Sequence, residues 1–354
     1  MKQSEALREK ELSATRTFDD IMTECLNNTT PKELSETDRA KLRKIRHVAF
    51  DMDGTIYMGS TLFPYTQETL KRLRENGIGY SFLTNNPTKS VKDYLAKLAG
   101  MGIEASEENM YTTSLAAIDY IRAHYPSARR LFLLGTPSMV SQFEKAGFEA
   151  CADSADDRPD VLVVAFDPTL EYSRLCRAAW WASQGLPYIA TNPDRVCPTD
   201  QPTVLVDCGS LCACIEHATG RRPDITLGKP DPNMLTGIMQ RHGLAPDEIV
   251  MTGDRIYTDT AMAHNAGAVG VLVLSGETTL ETARKVAADE AACLCPAKSA
   301  PTNNPASAES APANNPASAE APKPHSPEFH APDFVVPDIS VLCDLLVANC
   351  AQQE

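Results

Sequence analysis

Between residues 48 and 274 short apolar runs alternate with helical patterns, and no other feature restricts the fold of this chain so tightly. Val48-Ala49-Phe50 is too short for a helix and is bounded by charge, so it reads as a buried strand. Residues 65–76 follow as a helix with Leu70 and Leu73 on one face, stopped by Gly77 where a left-handed residue commonly ends a helix. Residues 78–83 are the next strand. A helix opening at Pro87 carries Val91, Leu95 and Leu98 and ends near Gly100 and Gly102, and another covers residues 114–124. Such alternation predicts an α/β fold, a doubly wound parallel sheet of Rossmann-like form with helices on both faces.

The pattern then restarts. Strands are expected at residues 130–134, 161–166 and 188–190, and helices at 138–146 and 171–184. Residues 126–220 thus form a second α/β unit of small-domain size, set between core segments 45–125 and 221–292. In the second core segment, a helix is expected over 232–242 and a strand over 248–252. A helix closed by Gly267, a strand over 269–274 and a helix over 280–288 follow. Residues 296–332 are rich in Ala, Pro, Ser and Asn and repeat the heptapeptide Asn-Asn-Pro-Ala-Ser-Ala-Glu. A segment of that composition buries too little surface to repay its ordering entropy and reads as a disordered insertion. Residues 333–350 return a final strand and an apolar helix. Residues 1–44 carry both charge signs and read as an extension outside the core.

Polar groups collect just beyond the strands. Asp51 and Asp53 follow the first, Thr84 and Asn85 the second, and Asp254 and Asp259 the strand at 248–252, while Lys229 stands in a loop before a helix. If those strands are neighbours, all of these groups meet at the carboxyl edge of the sheet, where open α/β folds bind ligands. Paired acids raise each other's pKa unless a divalent cation or a shared proton neutralises them. Taken alone, Asp51 and Asp53 also fit a plain acidic turn. A calcium loop would need further acids at alternate positions, and these are missing. Together the groups suit chemistry on a phosphate ester. One carboxylate can attack phosphorus, and a second can protonate the leaving oxygen and then deprotonate water. A hydroxyl, backbone amides and a lysine can hold the non-bridging oxygens. Magnesium offsets the repulsion between nucleophile and phosphate.

Four stretches carry a family resemblance: Asp51-Met52-Asp53-Gly54-Thr55, Thr84-Asn85-Asn86, Gly228-Lys229-Pro230, and Gly253-Asp254-Arg255 with Thr258-Asp259. In order and spacing they resemble the four motifs of the haloacid dehalogenase-like phosphatases. The Ile-Tyr-Met-Gly continuation, Thr-Asn-Asn-Pro, and Cys208-Gly-Ser-Leu-Cys-Ala-Cys-Ile-Glu are similar to its NagD-type branch, which carries a large α/β cap between the second and third motifs. The resemblance spans residues 45–290 and the final strand and helix. It implies Asp51 as nucleophile and magnesium ligand. Asp53 would be the general acid/base, its backbone carbonyl also on the metal. Thr84 and Lys229 would hold the phosphoryl group, with the Asn85 backbone nearby. Asp254 completes the metal ligands and Asp259 supports it from behind. The substrate implied is a small phosphorylated metabolite, of the sugar phosphate, nucleotide, phosphoglycolate or pyridoxal phosphate class. Asn192, Asp194 and Arg195, in a loop of the inserted unit, are weak substrate-contact candidates against a plain turn. The competing function is a non-catalytic or signalling phosphoacceptor module. Asp53 discriminates, because a hydrolase needs an acid/base there, and a receiver would not carry an inserted domain.

Composition limits the partners. The formal net charge of −14 argues against nucleic acid, whose binding surfaces carry basic excess. No run is long and apolar enough to span a bilayer, and the charged N-terminus shows no signal peptide. A reducing cytoplasmic setting, with the eleven cysteines as thiols, is the expectation. Contacts between copies, if the chain self-associates, are expected through the cap. Cys208, Cys212 and Cys214 match no common zinc spacing and read as small buried thiols at a helix start. Cys293 and Cys295 read as incidental thiols. His217 and His264 read as surface or packing residues, and Trp180-Trp181 as one core and one partly exposed ring.

Overall fold

The computed structural model describes residues 34–197, 202–283 and 332–350. Its strands, in chain order, are β1 His47–Asp51, β2 Tyr57–Met58, β3 Thr61–Leu62, β4 Gly79–Thr84, β5 Met110–Thr112, β6 Arg130–Leu134, β7 Glu149–Ala150 and β8 Val161–Val164. They continue with β9 Tyr188–Ala190, β10 Val196–Cys197, β11 Leu205–Val206, β12 Ile225–Thr226, β13 Ile249–Gly253, β14 Val269–Val273 and β15 Phe334–Val336. Six of them form one parallel sheet in the order β15-β14-β13-β1-β4-β5. A second parallel sheet, β12-β9-β8-β6-β7, is inserted between β5 and β13. The architecture is α/β: a doubly wound core with an inserted α/β cap.

Period-two alternation explains why helices cover both faces of the core sheet. Val48, Phe50 and Phe82 point into one apolar cluster, with Leu70, Leu73, Leu98 and Leu346 of the covering helices. Ala49 and Leu83 point the other way, into a cluster with Met234, Leu235, Ile238 and Met262. The cap repeats the scheme, with Leu131 and Leu133 on one side and Phe132 and Leu134 on the other. The helix Thr113–His124 lies between the units, giving Ala116 to the core and Ile118 and Ile121 to the cap. Polar ties join the same units. Thr136 Oγ1 donates to the Thr88 carbonyl at 3.0 Å, and Ser138 Oγ donates to Asp93 at 2.8 Å.

Three expectations are corrected, and one strand is added. Residues 36–44 do not lie outside the core: Glu36–Lys44 is a helix that buries Leu42 completely beside the final helix, Ile339–Cys350. Two apolar residues, Ala40 and Leu42, among seven polar ones are too faint a pattern to read from sequence. The helix expected from Pro87 begins at Val91, because Ser90 and Asp93 form a reciprocal capping box that fixes its start. β5 was not anticipated, because Met110–Thr112 runs straight into the helix at Thr113 with no turn residue between, whereas the equally short β9 stands at the expected 188–190. The boundary set at 220 falls short, because β12 pairs with β9 in the cap sheet. Of the helix expected over 280–288, residues 280–283 are helical and the remainder lies outside the described residues. The 296–331 stretch of the insertion, Cys293, Cys295 and residues 1–33 also lie outside them. Among the described residues, no helix is long and apolar enough to cross a membrane.

Candidate active site

β13, β1 and β4 are neighbours, so Asp254, Asp51 and Thr84 emerge side by side at one edge of the core sheet. Carboxylate oxygens of Asp51, Asp254 and Asp259 lie within 4.8 Å of one another, and all three residues are buried. This is the one His/Cys/Asp/Glu group with metal-ligating geometry among the described residues. Lys229, only 4% exposed, reaches into it. Its Nζ meets Asp51 Oδ1 and stands 2.6 Å from Asp259 Oδ1.

Three acids against one ammonium leave the cluster short of positive charge. Burial pushes Asp51 up to about 7 against the pull of Lys229, and Asp259 and Asp254 add to the rise. Burial and Asp259 push Asp254 up to about 6. Burial would lower Lys229, but Asp259 and Asp51 outweigh it and hold the lysine above its ordinary value. Asp254 is cradled closely. Its Oδ2 accepts from the Glu277 N–H at 2.6 Å, and a Cβ added at Gly276 would stand 2.0 Å from that oxygen, one at Gly54 2.4 Å. Asp254 Oδ1 is buried and accepts no hydrogen bond among the described residues. An orphaned carboxylate oxygen in a cluster of hard oxygen donors fits a divalent cation such as magnesium.

The remaining sequence candidates fall into two groups. Asp53 is exposed in the loop beyond β1, where the Gly59 N–H approaches its Oδ1 at 3.4 Å. Gly54, at φ +90°, turns that loop and donates to the Tyr57 carbonyl at 2.7 Å. Thr84 Oγ1 accepts from the Asn86 N–H at 3.2 Å. Asn85 approaches Lys229 by its side chain: Oδ1 accepts from the Lys229 N–H at 2.8 Å. Asp259, expected behind Asp254, instead joins the carboxylate cluster directly. The cap loop is corrected in part. Asn192 is fully buried, and its amide donates to Asp207 at 3.0 Å and Asp194 at 3.3 Å, so it holds its own loop rather than facing a substrate. Asp194 accepts from Asn85 at 3.1 Å, and Arg195 is exposed.

Three features of the site were missed from sequence. Arg255 Nε pairs with Glu277 at 2.7 Å beside Asp254. The segment Ser275-Gly276-Glu277 follows β14 at the same sheet edge, and Ser275 Oγ donates to the Gly54 carbonyl at 2.7 Å. A Ser-Gly pair just beyond a core strand was the available signal. The third is Cys197 of the cap hairpin, whose Sγ lies 3.7 Å from Asn86 Nδ2. Cys208 and Cys212 are buried at a helix start as expected, but Cys214 is exposed. His217 and His264 are exposed. Trp181 is buried and Trp180 half exposed.

A family model described as haloacid dehalogenase-like hydrolase matches residues 48–149, and one described as HAD-hydrolase-like matches 226–296. A 4-nitrophenylphosphatase structure from Thermotoga maritima is 33% identical with a TM-score of 0.69, covering 86% of this chain and 99% of that one. The chain belongs to the haloacid dehalogenase-like hydrolases. Within them it falls on the NagD-type phosphatase branch. Ribonucleotide monophosphatase NagD of Escherichia coli is 29% identical over 237 residues, which are 67% of this chain and 90% of the relative. A glycerol phosphate phosphatase from Mycobacterium tuberculosis, solved in complex with magnesium, is 27% identical with a TM-score of 0.61, covering 67% of this chain and 70% of that one.

Proposed function

We propose that this protein is a magnesium-dependent phosphatase that hydrolyses a small phosphorylated metabolite through a phosphorylated Asp51. The observation that carries the reading is the buried cluster of Asp51, Asp254 and Asp259 around Lys229 Nζ at the carboxyl edge of the sheet. Asp51 attacks phosphorus, the bond to the leaving oxygen breaks, and Asp53 gives that oxygen its proton. The Asp53 carboxylate then takes a proton from water. The resulting hydroxide attacks phosphorus, releases inorganic phosphate and frees Asp51. Lys229 and Thr84, with the amides of the Asn85 loop, hold the non-bridging oxygens. Asp51, Asp254 and the Asp53 carbonyl would hold magnesium, with Asp259 beside them. When bound, the metal neutralises charge between nucleophile and phosphate. The cap excludes bulk water during attack and limits substrates to small molecules, of the sugar phosphate, nucleotide, phosphoglycolate or pyridoxal phosphate class.

The test is phosphate release across those four classes with magnesium present, followed by borohydride trapping and mass spectrometry. Expected are turnover that chelation abolishes and magnesium restores, and a trapped adduct on Asp51. Asp51→Asn should lose turnover and keep its fold. Normal turnover by that variant would refute the assignment.

A further inference from the structure

The Asn85 carboxamide holds both backbone polar groups of Lys229 and one cap residue at the same time. Its Oδ1 accepts from the Lys229 N–H at 2.8 Å, and its Nδ2 donates to the Lys229 carbonyl at 3.2 Å. The second Nδ2 hydrogen goes to Asp194 Oδ2 at 3.1 Å, in the cap. This sharing fixes which way the amide faces, since reversal would set an NH2 group against the Lys229 N–H. Asp194 is itself held firmly. Its Oδ2 also accepts from Asn192, and its carbonyl accepts from the Gly209 N–H at 2.8 Å. A Cβ at Gly209 would stand 2.3 Å from the Pro193 carbonyl oxygen, so this loop lies tight against the start of the helix Cys208–Thr219. Beside Lys229 in the chain, Gly228 sits at φ +83°, and a Cβ added there would stand 2.9 Å from the Thr191 carbonyl oxygen of the cap and 3.0 Å from Asn85 Oδ1. The backbone at Lys229 is therefore held against the cap, directly at Gly228 and through Asn85 at Asp194, while the ammonium of that side chain stands among Asp51 and Asp259.

We propose that Asp194 is a positioning residue that sets Lys229, through the Asn85 carboxamide, when the cap loop is docked. Asp194 does not touch the reacting atoms. Its carboxylate keeps the amide turned so that the Lys229 peptide, and with it the ammonium, stays fixed. Undocking of the cap loosens the lysine, so the phosphate site is complete only beneath a seated cap. The kinetic consequence rests on the phosphatase reading, while the structural consequence does not.

The experiment compares wild type, Asp194→Ala, Asp194→Asn, Asn85→Ala and the Asp194→Ala/Asn85→Ala double variant, with circular dichroism as a check on folding. Amide exchange at Lys229 should accelerate roughly tenfold in Asp194→Ala, within the range that changes along such networks produce. It should stay near wild type in Asp194→Asn, whose side-chain oxygen still accepts from Asn85. With p-nitrophenyl phosphate and two metabolite phosphates, kcat of Asp194→Ala should fall by one common factor, roughly tenfold, with KM changed by less than about twofold. The double variant should be no slower than Asn85→Ala alone. Unchanged exchange in Asp194→Ala would overturn the proposal, as would kinetic losses that differ between substrates or multiply in the double variant. If wild type released no phosphate, the phosphatase reading would fall and the exchange measurement would still decide the role of Asp194.

Discussion

Lys229 is a charged group kept in the interior by its partners. Two carboxylates hold it, and its removal would leave them buried beside each other without a cation. Breaking a buried pair by deleting one member costs about 3–5 kcal/mol. Lys229→Met should therefore melt well below wild type in metal-free buffer, and magnesium should recover part of the loss. A melting temperature unaffected by the change would mean that the carboxylates hold protons instead. His47 shows the opposite strategy. Burial, aided by His242, pushes it down to about 3, and its Nε2 lies 2.9 Å from Ser81 Oγ. An unfolded histidine titrates near 6.5, so below that pH the unfolded chain binds a proton that the folded chain refuses. The stability held above pH 6.5 is lost progressively as pH falls toward 3. The His47 ring resonances should stay constant in NMR spectra between pH 5 and 8. A titration midpoint near 6.5 would contradict its burial as a neutral ring.

Elements were legible in proportion to their length and regularity. The helix at 65–76 was placed within a residue at each end, because Leu70 and Leu73 mark its face and Gly77 its stop. Strands as short as β9 and β15 were legible as apolar runs, whereas β5, which runs directly into a helix, and the two-residue β12 were not. At the ends of elements small residues decide the site. A methyl group at Gly276 would meet the Asp254 carboxylate, and Gly276 takes no positive φ, so the conflict is with that side chain alone. Gly276→Ala should weaken magnesium binding, read by calorimetry, by at least about tenfold for a displaced ligand. It should leave the circular dichroism unchanged, and unaltered affinity would show that Asp254 is not a ligand. Gly237→Ala is the structural counterpart. Its Cβ would stand 1.9 Å from the Tyr111 hydroxyl oxygen, and overpacking of this kind costs about 1–3 kcal/mol. A calorimetric unfolding scan should show that loss, and a neutral result would mean that Tyr111 moves aside freely.

At the scale of the molecule, the final residues are as much part of the core as the first strand. β15 pairs with β14, and Phe334, Val336, Ile339, Leu342 and Leu346 are all nearly or fully buried. Asp333 pairs with Lys41 at 2.5 Å and accepts from the Gly270 N–H at 2.9 Å. Burying five such side chains is worth about 1.5–3 kcal/mol each, comparable to the whole stability of a domain. A chain ending at residue 283 should therefore fail to give a cooperative melt. Wild-type-like unfolding of that truncation would place the final strand and helix outside the stabilising core.

Sequence alone determined what is written locally or repeated. The α/β alternation, the paired acids after the first strand and the order of the four motifs all lie along the chain. Hydrophobic periodicity and turn chemistry are properties of neighbouring residues. Tertiary structure decided what depends on which strands become neighbours. The order β13-β1-β4 brings Asp254 and Thr84 beside Asp51, and a loop crossing from the cap carries Lys229 in among the acids. Asn192 and Asp194 stand two residues apart and read alike as polar loop residues. One is held inside the cap by Asp207 and the other reaches Asn85 of the core, because side-chain direction is set by packing against segments 15 residues away in one case and 109 in the other.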